Sequence, residues 1–243
     1  MGGSADHILK KMHLFKFAKK TVDSFRRVVR AMRPVDRLLI NNYFSTPGMH
    51  NLHIGCGGNI IDGWLNSDFS PTSDKVLHLD ATSTFPFENN TFDTIFSEHV
   101  IEHFTYFTGL AMLRECHRIL KNNGTIRIST PDLQFLMDLY RDDKSDLQTE
   151  YIKWSTDYFI KGAPHPEDTF VINNFVRAWG HLFIYDKKTL RSSLARAGFT
   201  DIVRCELNKS KHSVLCNIEN EKRMPEGLLQ LESFTLEGTK RRQ

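Results

Sequence analysis

From Pro47-Gly48 onward, short apolar runs alternate with stretches in which apolar residues recur every three or four positions. Residues 51–54 read as a short buried strand that runs into Gly55-Cys56-Gly57-Gly58. Residues 64–68 give a second strand, 76–80 a third and 92–96 a fourth, the last preceded by the turn-forming Glu88-Asn89-Asn90. Leu110, Leu113, Cys116 and Leu120 then make a helical stripe, and Asn122-Asn123-Gly124 stops it. Residues 125–129 are a fifth strand, closed by Pro131. The segment 132–180 is long, aromatic and helical, with no further strand signal. Asp186 caps a helix ending at Gly198, and residues 202–207 and 213–218 are expected to form a final strand pair. Strands alternating with helices in this way imply βαβ units, hence an α/β fold with a mostly parallel sheet.

Composition narrows the class. A chain of 243 residues accommodates one substantial α/β domain with decorations, and 40% hydrophobic with 25% charged residues excludes wholesale disorder and fibrous repeats. No run approaches the ~18–20 consecutive apolar residues of a membrane span, and no apolar segment behind the basic start reads as a secretory signal. Cys56, Cys116, Cys205 and Cys216 lie far apart without a C-x-x-C pair, which argues against a zinc ribbon or disulfide framework. A reducing, cytoplasmic location is therefore expected.

Charge is uneven. Residues 1–40 hold ten Lys and Arg against three acids, whereas the other 203 residues hold 22 bases against 26 acids. Within that basic arm, Ile8, Met12, Phe15, Val22, Phe25, Val29 and Met32 recur at mostly helical spacing. Residues 1–48 are therefore expected as a basic amphipathic helical arm, packed on the domain and partly covering the ligand entrance. Contact with an anionic membrane surface is the less favoured rival. The body then spans 49–219, with 132–180 as a helical acceptor or lid region and 220–243 as a tail.

The chemistry begins at the first glycine turn. A strand entering Gly55-Cys56-Gly57-Gly58 presents backbone amides with no side chains in the way, at the C-terminal edge of the sheet. Asp68 ends the second strand, where a carboxylate accepts both hydroxyls of a ribose. Asp80 ends the third, where it can hold an adenine amino group beside the Ala81 amide. Three successive strand ends bearing glycines, Asp and Asp describe an adenosine cradle. In it Cys56 contributes small size and backbone position.

With these residues in hand, the sequence resembles the class I S-adenosylmethionine-dependent methyltransferases. Leu52-His53-Ile54-Gly55-Cys56-Gly57-Gly58-Asn59 is similar to their first motif, Asn66-Ser67-Asp68 to the second and Leu79-Asp80-Ala81 to the third. The stretch Phe92-Asp93-Thr94-Ile95-Phe96-Ser97-Glu98-His99-Val100-Ile101-Glu102-His103 is similar to the fourth, and residues 114–124 to the hinge after it. Ala197-Gly198-Phe199 is a further family habit. The resemblance implies a Rossmann-like seven-stranded sheet, antiparallel at its last strand, with helices on both faces. It also implies S-adenosyl-L-methionine as methyl donor, S-adenosyl-L-homocysteine as product, and Glu98 beside Gly55, Cys56, Gly57, Asp68, Asp80 and Ala81 as donor-binding residues. The nearest subgroup is the compact, type-11-like enzymes often met near polysaccharide and cell-envelope biosynthesis.

Methyl transfer needs an aligned nucleophile, and a base when the acceptor is a hydroxyl. His99, Glu102 and His103 stand at i, i+3 and i+4, on one face of a helical turn, and His181 in Trp179-Gly180-His181 is placed to complete the site. His99, His103 and His181 are the candidate bases. The same four residues match the ligand types of a divalent-metal site and resemble the Glu-x-x-Glu-His plus distant His of metal-dependent small-RNA 3′-end methyltransferases, with His99 in place of the first Glu. The favoured reading has no metal. Its acceptor is a small molecule or glycan methylated on oxygen, for which the aromatic residues of 132–180 offer stacking faces. The net acidic body argues against nucleic acid. A metal-assisted RNA-end enzyme and a non-catalytic cofactor-binding module with a recruiting arm are the alternatives.

Overall fold

The structure, a computed structural model, describes residues 33–242. Its centre is a seven-stranded sheet in the order β3-β2-β1-β4-β5-β7-β6. The strands are β1 (Asn51–Ile54), β2 (Leu65–Asp68), β3 (Leu77–His78), β4 (Phe92–Glu98), β5 (Leu120–Pro131), β6 (Thr200–Cys205) and β7 (Ser233–Thr239). The pairs from β3 through β5 are parallel, while β7 runs antiparallel to both β5 and β6. All four residues of β1 are buried, as expected of a central parallel strand covered on both faces.

Seven α-helices flank the sheet among the described residues: α1 (Pro34–Ser45), α2 (Tyr106–Ile119), α3 (Leu133–Leu139), α4 (Asp146–Phe159), α5 (Asp168–Arg177), α6 (Lys187–Ala197) and α7 (Leu228–Glu232). Side-chain caps fix the starts of four of them: Thr105 accepts from the Thr108 amide, Asp132 from that of Gln134, Ser145 from that of Gln148 and Asp186 from that of Thr189. Gly198 ends α6 at φ +107, and a Cβ there would stand 2.9 Å from the His117 ring. Leu52, Ile54 and Ile95 of the sheet share one core with Leu113 of α2 and Leu190 of α6. A second core, including Phe135, Tyr151, Val171 and Phe175, holds α3, α4 and α5 together as a helical cap.

The expected last strand pair is half right. Residues 200–205 are a strand, but 213–215 form a single 3₁₀ turn, and Leu215 and Ile218 plug the sheet against Trp64 and Phe96. The antiparallel strand is instead Ser233–Thr239, inside the stretch expected to be a tail. A buried ion triad hides it from a polarity reading. Arg127 of β5 lies directly opposite Glu237 of β7 and pairs at 2.6 Å with both Glu237 and Glu219. No helix among the described residues is long and apolar enough to cross a membrane.

The expected arm falls mostly outside the described residues. Its described part, α1, packs Ile40, Tyr43 and Phe44 on the main core, and its Asp36 accepts from the amide of His78 at 3.1 Å.

Candidate active site

A cavity of about 860 Å³ opens at the C-terminal ends of β1, β2 and β4. This is the topological switch point, where β1 is flanked by β2 on one side and β4 on the other, and where open α/β sheets take their ligands. Two other hollows, of about 810 and 470 Å³, lie where 204–209 and 59–62 meet the 217–222 segment. Neither carries a glycine turn with strand-end carboxylates.

Gly55, Gly57, Asp68, Asp80 and Ala81 line one half of the cavity, as the sequence predicts. The turn is pinned to β2, since the amides of Gly55 and Cys56 both donate to the carbonyl of Ser67, at 2.8 and 2.9 Å. Gly55 has φ +71, and a Cβ on it would collide with Cγ2 of Val100 at 2.1 Å. Asp68 is held by the Gly57 amide on one oxygen (2.9 Å) and the Ser70 amide on the other (2.8 Å). Each oxygen keeps an accepting lone pair beyond these bonds. Asp80 accepts from Thr82 and Ser83. Burial pushes its carboxyl up, but these bonds outweigh it and hold the carboxyl below the ordinary range.

Two predicted donor residues are not brought to the cavity. Cys56 is buried away from its lining, with its amide spent on Ser67 and its thiol pushed up to about 11 by burial. Glu98 follows Phe96 by two residues, so it lies on the strand face covered by the 218–223 segment. There it accepts from the Asn220 amide at 3.2 Å and sits 3.9 Å from Arg223.

The other half of the cavity is lined by His99, Val100, His103, Phe104, Thr105, Thr108 and Leu182. His103 ends a 3₁₀ turn (Ile101–His103) rather than an α-turn, and His99, two residues before that turn, is left-handed at φ +52. Its Nε2 is 2.8 Å from the Ser233 hydroxyl and its Nδ1 is 3.4 Å from Oε1 of Glu102. Behind it, Tyr151 of the cap donates to Glu232. Burial, then the nearby Arg223, lowers His99 well below its ordinary value. His103 is lowered by burial, and His181 is lowered to about 4 by burial and the charge of His103. All three rings are thus neutral near pH 7. Glu102 is fully buried and accepts from Thr130 at 3.0 Å, and burial raises its carboxyl to about 8.

His181 does not line the cavity, yet its ring packs edge-on against His103 at 5.0 Å. Glu102, His103 and His181 each offer a ligand atom, and these atoms lie within 4.8 Å of one another. Of the aromatic residues of 132–180, Phe135, Tyr151, Trp154, Phe175 and Trp179 serve the cap core, Tyr140 and Tyr158 are exposed, and none of that segment lines the cavity. Sequence reasoning missed Thr130, Glu232, Ser233 and Tyr151, which carry no local pattern linking them to His99 and Glu102.

Residues 52–128 match a family described as a methyltransferase domain. No curated protein is significantly similar in sequence to the chain. Among solved structures, a SAM-dependent methyltransferase from Archaeoglobus fulgidus is 16% identical, with 93% of this chain and 99% of that one covered at a TM-score of 0.48. A SAM-dependent methyltransferase from Thermotoga maritima, described as a possible histamine N-methyltransferase, is 17% identical over 91% and 97% of the two chains, at 0.43. A Haloferax volcanii complex between the Trm112 methyltransferase activator and a putative methyltransferase gives 12% identity, 85% and 94% coverage, and 0.47. The sheet order and its helical layers are those of a Rossmann-like α/β fold, with the cavity at its switch point. The match marks residues 52–128 as a methyltransferase domain, so the chain is an enzyme.

Proposed function

We propose that the enzyme is a class I S-adenosylmethionine-dependent methyltransferase that transfers the donor's methyl group to a hydroxyl on a small-molecule or glycan-type acceptor in a cytoplasmic setting. The observation that carries this reading is the pairing, in one cavity, of the strand-end Gly55, Gly57, Asp68 and Asp80 with the neutral histidine His103. The donor supplies an electrophilic methyl group on a sulfonium. Asp68, with lone pairs to spare, would accept from its ribose hydroxyls, and Asp80 with the Ala81 amide would face its adenine. At Gly57 nothing lies within 4 Å of where a Cβ would stand, which leaves the backbone of the turn open beside the two carboxylates, so the residues present fit the donor.

On the acceptor side, the chain supplies neutral imidazoles where a hydroxyl must lose its proton. His103 lines the cavity with His181 behind it, whereas both nitrogens of His99 already face Ser233 and Glu102. His99 therefore shapes the wall. Phe69 and Leu182, two-thirds exposed at 66% and 64%, offer an apolar lip over which a sugar ring or aglycone can stack. The free thiols of Cys56, Cys116, Cys205 and Cys216 support a reducing compartment.

The test is transfer of labelled methyl from S-adenosylmethionine to three acceptor sets: sugar and phenol hydroxyls, primary amines, and RNA 3′ ends. Label in the hydroxyl set is the expected result, and label confined to amines or RNA overturns the reading.

A further inference from the structure

We propose that Glu102, His103 and His181 bind a divalent first-row transition-metal ion at the inner end of the cavity, leaving a coordination position open to the acceptor oxygen. The last clause rests on the hydroxyl-acceptor reading, with a His103 that ligates the ion then orienting the acceptor through it instead of taking its proton, but the ion site does not. The three residues come from two segments that the backbone fastens together: the amides of Leu182 and Phe183 both donate to the carbonyl of Glu102, at 2.8 and 3.1 Å. Gly180, at φ +73, turns the chain so that His181 arrives beside His103.

The spacing is that of a site ready to close. Ligand atoms at most 4.8 Å apart have a common centre no more than about 2.8 Å from each, against the about 2.0–2.2 Å of nitrogen and carboxylate bonds to zinc. Closing the difference takes side-chain movements of about 0.7 Å, with no backbone rearrangement.

Unmet polar atoms point the same way. Nδ1 of His181 is buried and has no hydrogen-bond partner, and Oε1 of Glu102 has none beyond the approach of Nδ1 of His99 at 3.4 Å, although buried polar atoms are nearly always paired. Two under-satisfied atoms in a cluster of three residues point to a missing common partner. The surroundings fit as well. Thr130 donates to the other oxygen of Glu102, carbonyls of Gly180 and Trp179 lie beside His103, and that of Phe175 lies beside His181. Carbonyls and hydroxyls around the outer atoms are what orient the ligands of a metal. Two imidazoles and one carboxylate suit zinc, manganese, iron(II) or cobalt, whereas magnesium and calcium prefer oxygen ligands throughout. His103, which lines the cavity, gives the ion its entrance.

The experiment uses the full chain, stripped with EDTA and then titrated with Zn²⁺, Mn²⁺ or Co²⁺ alone. Calorimetry, the thermal midpoint and the visible spectrum of the Co²⁺ form are the readouts. One equivalent bound with a raised midpoint is expected. Glu102→Gln and His181→Asn should each lose more than about 100-fold in affinity, and Thr130→Val, which removes only an outer partner, about 10-fold. S-adenosylhomocysteine binding by each variant verifies that it is folded. Absence of binding in the wild type, or equal Co²⁺ affinity in folded Glu102→Gln and His181→Asn, overturns the site. Full-rate hydroxyl methylation by the stripped enzyme overturns the ion's part in acceptor binding while leaving the acceptor reading intact. Stoichiometric metal bound through these residues, without hydroxyl methylation, upholds the site and defeats the acceptor reading.

Discussion

Replacing Gly55 by alanine separates two costs that the structure assigns to one position. At φ +71 an L-residue pays for left-handed backbone with about 1–2 kcal/mol. The added Cβ also meets Cγ2 of Val100 at 2.1 Å, well inside the ~3.5–4.0 Å of a carbon–carbon contact. Val100 is β-branched and precedes the 3₁₀ turn that carries His103, so relief requires a rotamer change or a shift of that turn, at about 1–3 kcal/mol. The total is about 2–5 kcal/mol. A mid-range loss of about 3.5 kcal/mol lowers the thermal midpoint by about 7–14 °C in a chain of this size. Gly57→Ala is the internal control: its φ is +50 with nothing within 4 Å of a new Cβ, so only the strain of about 1–2 kcal/mol remains. Urea unfolding of Gly55→Ala, Val100→Ala and the double variant measures the clash directly. The double variant should be less destabilised than the sum of the singles by about 1–3 kcal/mol. Additivity within about 0.5 kcal/mol, or Gly55→Ala no worse than Gly57→Ala, refutes the reasoning.

Four further outcomes are expected. Asp68→Asn weakens S-adenosylhomocysteine binding about 10- to 100-fold by calorimetry, the worth of a hydrogen bond to a charged group; an unchanged dissociation constant removes Asp68 from the ribose. Arg127→Met strands the carboxylates of Glu219 and Glu237 in the core and costs about 3–5 kcal/mol in urea unfolding. Adding Glu219→Gln and Glu237→Gln should recover part of that, and a loss under about 1 kcal/mol for Arg127→Met alone contradicts the triad. His53 is buried against Asn66 and Phe96, and burial lowers its pKa to about 4. Its unfolded form takes up a proton below about pH 6.5, so stability is lost as pH falls, by about 2–3 kcal/mol between pH 7.5 and 4.5. His53→Gln should flatten that limb, and an unchanged slope assigns it to other groups. Cys56→Ala keeps turnover within about twofold, because its thiol stays protonated and off the cavity; lost turnover with intact donor binding would show thiol chemistry.

What was legible in the sequence follows from which residues carry their meaning locally. The strands β1 and β4 are apolar runs ending in glycine or polar turns, and α6 bears its own cap at Asp186 and stop at Gly198. The glycine-and-aspartate half of the cavity shares this property, since Gly55, Gly57, Asp68 and Asp80 each stand at or just past the end of their own strand. The strand β7 does not show in the sequence because a charged residue in a strand ordinarily faces water. Glu237 is only 2% exposed, and it is buried because Arg127 across the register requires a carboxylate. Residues 213–218 failed the opposite way: apolar residues that plug the sheet against Trp64 and Phe96 mimic a strand. Glu98 was misplaced because its position in a motif says nothing about which face of β4 it occupies. The left-handed backbone of His99 has no signature in residue type at all.

The histidine-lined half depends on topology, and one reversal explains why its partners lie so far apart in the chain. The strand β5 ends at the cavity edge of the sheet, and β7, being antiparallel to it, begins there, with Ser233 opposite Pro131. Residues 232–233 therefore enter at the edge where β4 delivers His99, whose amide donates to the carbonyl of Ser129 on β5. A parallel β7 would have delivered its C-terminal end to that edge instead, and Glu232 and Ser233 would lie at the opposite one. The antiparallel insertion also brings α7 against the cap, where Tyr151 reaches Glu232. The path from Tyr151 through Glu232 and Ser233 to His99 and Glu102 thus joins the cap to the wall of the cavity through buried polar groups. Such a network is costly to leave half satisfied, so it fixes the position of the wall against the cap. The glycine-and-aspartate half stands on successive strand ends and needs no such support. The histidine-lined half needs β7 reversed.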